Sequence, residues 1–136
     1  MVDASVAVKW LLPEPNDAEA LRLLRARHDL LAPDLLFTEV GSALLKRIRR
    51  NEATVVEATR AIEHLGSLGM QIHPALPLLP LALELASRFA RSIYNSVYLA
   101  VAVLRHCPVV TADRRFHDAL AGGPLRSHVL WIADVP

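Results

Sequence analysis

The most constraining feature of this sequence is the stretch 92–105, where Val97, Leu99, Ala100, Val101, Ala102, Val103 and Leu104 leave a helix almost no polar side. A helix that is apolar all round has to be surrounded. In a chain of 136 residues, with room for one domain and one core, it must lie centrally with other elements packed around it. The rest of the chain supplies those elements, because amphipathic helical stretches alternate with short apolar runs of β character. That alternation argues for an α/β fold built on a parallel sheet, with residues 1–136 as one domain.

Helices are expected over 5–12, where Pro13 and Pro15 stop the first, and over 17–27, 34–50, 52–68, 78–88, 92–105 and 114–120. Gly69 is the expected C-cap of the fourth. Strands are expected at a very short first segment ending at Val2, and at 30–32, 70–73, 109–111 and 129–132, the last at a sheet edge. Pro74, Pro77 and Pro80 read as a rigid connection before a helix.

Composition removes several function classes. Lys and Arg number 15 against 14 Asp and Glu, a formal charge of +1, so attraction to nucleic acid must come from local patches rather than a polybasic field. The single cysteine, Cys107, allows no internal disulfide and no thiolate metal cluster, and its apolar surroundings fit a buried thiol in a reducing compartment. The six histidines show no paired i, i+4 spacing, which argues against zinc. The longest apolar run, 74–83, is interrupted by prolines and is about half the roughly 20 residues of a membrane span. With no basic segment ahead of the first apolar run, which Asp3 and Lys9 break, the expected location is the cytoplasm.

Ligands of open parallel sheets gather at the carboxyl ends of strands, which singles out acidic residues just past an apolar run. Asp3 follows Val2, and Asp113 follows the run ending at Thr111; each is also placed to cap the helix after it. Glu39 lies on the apolar stripe of its helix beside Val40, where a carboxylate needs a partner, for instance an arginine of a neighbouring helix. Asn95 opens the apolar helix three positions after Ser92, where its side chain could bond back to the cap. Asp118 lies four residues after Arg114 and reads as a surface ion pair. Lys46, Arg47, Arg49 and Arg50 end a helix, where cations suit the dipole. Three carboxylates and an amide that converged without lysines would repel one another, and a hard divalent cation would relieve that repulsion and activate water at a phosphodiester.

The blocks 2–10 (VDASVAVKW), 33–44 with Pro33-Asp34-Leu35-Leu36 and Glu39-Val40, 94–100 (YNSVYLA) and 110–116 (VTADRRF) resemble, in order and separation, PIN-domain proteins of the VapC-like toxin group. The resemblance implies a three-layer α/β/α sandwich with a short central parallel sheet. It implies a Mg²⁺- or Mn²⁺-dependent endoribonuclease, a homodimer, and neutralisation by a VapB-like antitoxin whose tail enters the site. Carried over position by position, the acidic quartet falls on Asp3, Glu39, Asn95 and Asp113, expected to share one acidic pocket, with Ser5 and Thr111 as supporting hydroxyls. Asn95 departs from the family pattern, which has Asp there. An amide oxygen can coordinate a cation but brings no charge and cannot act as a base. Asn95 is thus either a native variant or an inactivating replacement, and a catalytically silent module that binds RNA or protein stands as the alternative. A flap-cleaving DNA nuclease would need an arch or further DNA-binding domain that this length does not hold. A phosphoacceptor receiver would need a lysine late in the chain, whereas Lys9 and Lys46 are the lysines present.

Overall fold

A computed structural model describes residues 1–26 and 28–136, and among these seven α-helices alternate with four strands of three residues each. β1 (Leu31–Pro33) pairs in parallel with β2 (Gln71–His73), and β3 (Val109–Thr111) pairs in parallel with β4 (Val129–Trp131). Val2 joins the two pairs. It forms an isolated parallel bridge with Val110, and its N–H donates to the Leu31 carbonyl at 2.8 Å. On the other side the Asp3 N–H donates to the Val110 carbonyl at 3.1 Å, and the Val110 N–H donates to the Met1 carbonyl at 2.9 Å. The order across the molecule is therefore β2, β1, Val2, β3, β4. A chain that starts in the middle, builds to one side and then returns to build the other has its topological switch where Val2 meets β3.

β1 and β3 are buried along their whole length, as parallel strands covered on both faces must be, whereas β2 carries Gln71 and His73 at an edge. The helices are α1 (Ala4–Leu11), α2 (Asp17–Arg25), α3 (Leu35–Arg49), α4 (Val55–Gly66), α5 (Leu79–Phe89), α6 (Ile93–Leu104) and α7 (Arg114–Ala121). They complete the α/β/α sandwich with its short central parallel sheet. The expected end of the second helix at Arg27 lies outside the described residues. α6 is the central helix, buried from Ser96 through Ala102 and packed on α5, β1 and β3. α1 packs on α2 and α3, and the Trp10 indole N–H locks it to the Ala20 carbonyl at 2.7 Å.

Two helix ends differ from expectation for reasons the sequence contains. α4 begins at Val55, because Thr54 and Glu57 close a reciprocal capping box that leaves Glu52 outside the helix. It ends with Ser67 as C-cap, and Gly69, at φ +71°, serves the turn into β2 instead. Pro77 and Pro80 occupy the first turns of a 3₁₀ segment, Leu76–Leu78, and of α5, where no N–H is needed. At the far end of α3 the basic cluster is partly structural. Glu14 accepts from Lys9 Nζ and from Arg47 Nη2 at 3.2 Å each, and Arg47 Nη1 reaches Glu52 at 2.7 Å.

Candidate active site

Asp3 sits at the switch between Val2 and β3, 7% exposed. It precedes α1, yet its carboxylate makes no capping bond. Oδ2 instead accepts from Ser5 Oγ at 2.5 Å and from Thr111 Oγ1 at 2.7 Å. The same hydroxyls accept from the loop beyond β3: Ala112 N–H donates to Ser5 Oγ at 2.9 Å and Asp113 N–H to Thr111 Oγ1 at 3.0 Å. Two chain segments more than a hundred residues apart are thereby fastened around one carboxylate. Burial raises the Asp3 pKa above the usual carboxylate value; the hydroxyls of Ser5 and Thr111 and the nearby Ala4 backbone oppose that rise, and the charge of Asp113 adds to it.

Asp113 does cap its helix. Its Oδ1 accepts from the N–H groups of Arg115 at 2.9 Å and Phe116 at 3.2 Å. Oδ2 has no hydrogen-bond donor among the described residues, so capping leaves half of this exposed carboxylate available. Glu39 is half-buried on α3, and its partner is not an arginine. The phenol of Tyr98, on α6 and 1% exposed, donates to Glu39 Oε2 at 2.6 Å. Burial raises the Glu39 pKa, Tyr98 opposes the rise, and the charge of Asp3 increases it. The Tyr98 hydroxyl is itself pushed far above the ordinary phenol value by burial and by the charges of Asp3 and Glu39, so it stays a donor. Sequence reasoning missed Tyr98. The signal was a tyrosine inside the most apolar helix, since a buried phenol must find an acceptor.

Asn95 lies one turn before Tyr98 on α6. Its backbone N–H donates to Ser92 Oγ at 3.1 Å, but its amide side chain makes no hydrogen bond among the described residues. The cap at Ser92 is therefore one-sided. Asp118 is exposed and holds His117 Nδ1 at 2.8 Å and Arg114 at 3.9 Å, a surface arrangement on α7. Of the quartet, Glu39 also lines an open cleft of about 370 Å³ together with Leu35, Thr38, Ser42, Ala43, Lys46 and Tyr94. Asp3, Asn95 and Asp113 are not part of its lining.

No Lys or Arg pairs with Asp3, Glu39 or Asp113 among the described residues, so their mutual repulsion has no counter-charge from the protein. Hard oxygen donors in that condition suit Mg²⁺ or Mn²⁺. No three His, Cys, Asp or Glu side chains among the described residues close on a single point. Asp3, Glu39 and Asp113 are thus not gathered into a closed cluster, and the fit to such a cation rests on the hardness and uncompensated charge of their oxygens.

An open, doubly wound parallel sheet with carboxylates at its topological switch defines the class. A family model described as PIN domain matches residues 1–120, and the chain belongs to the PIN-domain family. It is similar to the VapC ribonuclease Mb0985 of Mycobacterium bovis, 31% identical over 118 residues, 87% of this chain and 88% of the relative. Ribonuclease VapC3 of Pyrobaculum aerophilum is 28% identical over 120 residues, 87% of this chain and 92% of that one. In fold the chain resembles the crystal structure of PAE2754 from Pyrobaculum aerophilum, with a TM-score of 0.69 at 24% identity over 90% of this chain and 79% of that one.

Proposed function

We propose that residues 1–136 form one PIN unit acting as a Mg²⁺- or Mn²⁺-dependent endoribonuclease, the cytoplasmic toxin of a toxin–antitoxin pair. RNA would be its substrate, a VapB-like antitoxin its inhibitor, and a homodimer its working form. The observation that carries this reading is the carboxylate of Asp3, buried at the sheet switch, held by two hydroxyls and neutralised by no protein cation among the described residues. Family membership and the ribonuclease names of relatives near 31% identity support it.

Asp3 and the unbonded Oδ2 of Asp113 would be the principal holders of the ion, with Glu39 and the neutral oxygen of Asn95 completing the set. The ion would supply positive charge at the phosphodiester and a water acidic enough to attack it at neutral pH. Ser5 and Thr111 fix the direction of the Asp3 carboxylate. Tyr98 holds one oxygen of Glu39 and leaves the other to orient a water or a ligand. Carboxylates whose direction is fixed beforehand lower the reorganisation needed to seat the ion and its water.

Incubation of the purified protein with total RNA, with Mg²⁺ or Mn²⁺ and with a chelator, tests the reading. Cleavage that disappears in chelator and in Asp3→Ala is the expected result. The neutral amide at Asn95 favours a second reading, a PIN module that binds RNA or protein without cutting. RNA left intact by this chain and by Asn95→Asp would overturn the ribonuclease in favour of that module.

A further inference from the structure

The cleft beside Glu39 has a chemistry the hydrolytic set does not use. Along one stripe of α3 stand Leu35, Thr38, Ser42, Ala43 and Lys46, and Tyr94 of α6 faces them with 56% of its surface exposed. An exposed tyrosine directly before Asn95 is unexplained by packing, because burial on α6 begins only at Ser96. Lys46 is exposed and forms no ion pair among the described residues, while its neighbour Arg47 is neutralised by Glu14 and Glu52. Thr38 and Ser42 are exposed hydroxyls one turn apart on the same stripe. Seven residues of helix place Lys46 about 10 Å along the axis from Glu39. A flat aromatic face, a lone cation, hydroxyls and a cleft of about 370 Å³ are the elements by which proteins hold single-stranded nucleic acid.

We propose that this cleft is the subsite for one nucleotide of single-stranded RNA flanking the bond to be cut, with the base stacked on Tyr94, a phosphate on Lys46 and the ribose within reach of Thr38 and Ser42. The proposal rests on the ribonuclease reading and adds to it how the substrate strand is held. It gives a role to Lys46, the cation that lines the cleft, at a helix end where Arg49 and Arg50 also form no ion pair among the described residues. It also predicts preference for unpaired RNA, since a base within a duplex has no free face for Tyr94.

The test is fluorescence anisotropy with a short labelled single-stranded RNA in chelator, where nothing is cut, for the intact protein, Tyr94→Ala, Tyr94→Phe, Lys46→Ala and Arg22→Ala as a charge control on α2. Tyr94→Ala should weaken binding about tenfold, as loss of one stacked base does, and Tyr94→Phe should retain it. Lys46→Ala should lower the slope of log affinity against log salt by about 0.7, the share of one phosphate contact on a single strand. Arg22→Ala should change neither. Circular dichroism melting and size-exclusion mass accompany each variant. Metal-dependent cleavage by the parent with unchanged RNA affinity in Tyr94→Ala would overturn the subsite and leave the ribonuclease standing. A Tyr94→Ala protein that changes oligomeric mass instead of RNA affinity would make the cleft a contact between copies and also overturn it. RNA neither bound nor cut by the parent would remove both readings together.

Discussion

At Asn95 a neutral amide stands where the resemblance leads one to expect a carboxylate, and its side chain has no hydrogen-bond partner among the described residues. Nothing in the local packing therefore demands an amide there, and Asn95→Asp should fold unchanged because the two side chains are nearly isosteric. We expect that variant to raise metal-dependent RNA cleavage by about 10²-fold, the low end for a positioned carboxylate. Its melting temperature should rise only with metal present, through ligand linkage; equal cleavage by both proteins would make Asn95 a competent ligand or a bystander.

His73 offers a second residue-level prediction, independent of metal. Its Nε2 is buried without a partner among the described residues, and burial, then the charge of Arg105, lower its pKa below the ordinary histidine value. The unfolded chain therefore binds this proton more readily than the folded one, and stability falls as pH drops through about 6.5 toward the folded-state value. Thermal melts between pH 7 and pH 5 should show that loss, and His73→Gln should flatten it. Residues of the candidate site were legible where the chemistry is local. Asp3 and Asp113 stand just past short apolar runs, whereas the hydroxyls of Ser5 and Thr111 were legible only through the family resemblance. The partner of Glu39 was not legible, because Tyr98 reaches it across 59 positions of sequence and one tertiary contact.

Among the elements, α6 shows what apolar periodicity does and does not reveal. The run of hydrophobic residues correctly demanded a central helix, but it could not show that burial stops at Ala102 and that Leu104 emerges 57% exposed. Leu99→Ala, at a fully buried position, should cost roughly 2–5 kcal/mol in urea denaturation. Leu104→Ala should stay within about 0.5 kcal/mol, as exposed substitutions do. A comparable cost for both would place the end of α6 inside an interface that the isolated chain does not show. The start of α4 was legible in principle from Thr54-x-x-Glu57, a signal that outweighs the amphipathic pattern running back to Glu52. Strand ends were the least legible, since three residues carry too little period to fix a boundary and their neighbours in the sheet decide it.

For the molecule as a whole, the alternation of helices and short apolar runs was enough to give the parallel α/β class, and the order of strands required the structure. That order has a mechanical consequence. The two strand pairs meet along a seam one residue wide at Val2, bridged otherwise by α1 and α6. Glu39 belongs to α3, which leads out of β1; Asp113 follows β3; Asp3 lies on the seam itself. Proteins open in sub-global units, and a seam this narrow is a natural boundary between two of them. A cation shared by carboxylates from both sides would act as a clasp, making the two halves unfold as one cooperative body. Amide exchange at Val2, Asp3 and Val110 should then slow on addition of Mn²⁺ while exchange in α5 changes little. Unaltered exchange at the seam would mean that the ion grips one half only and that the fold draws its cooperativity from the packing of α1 and α6.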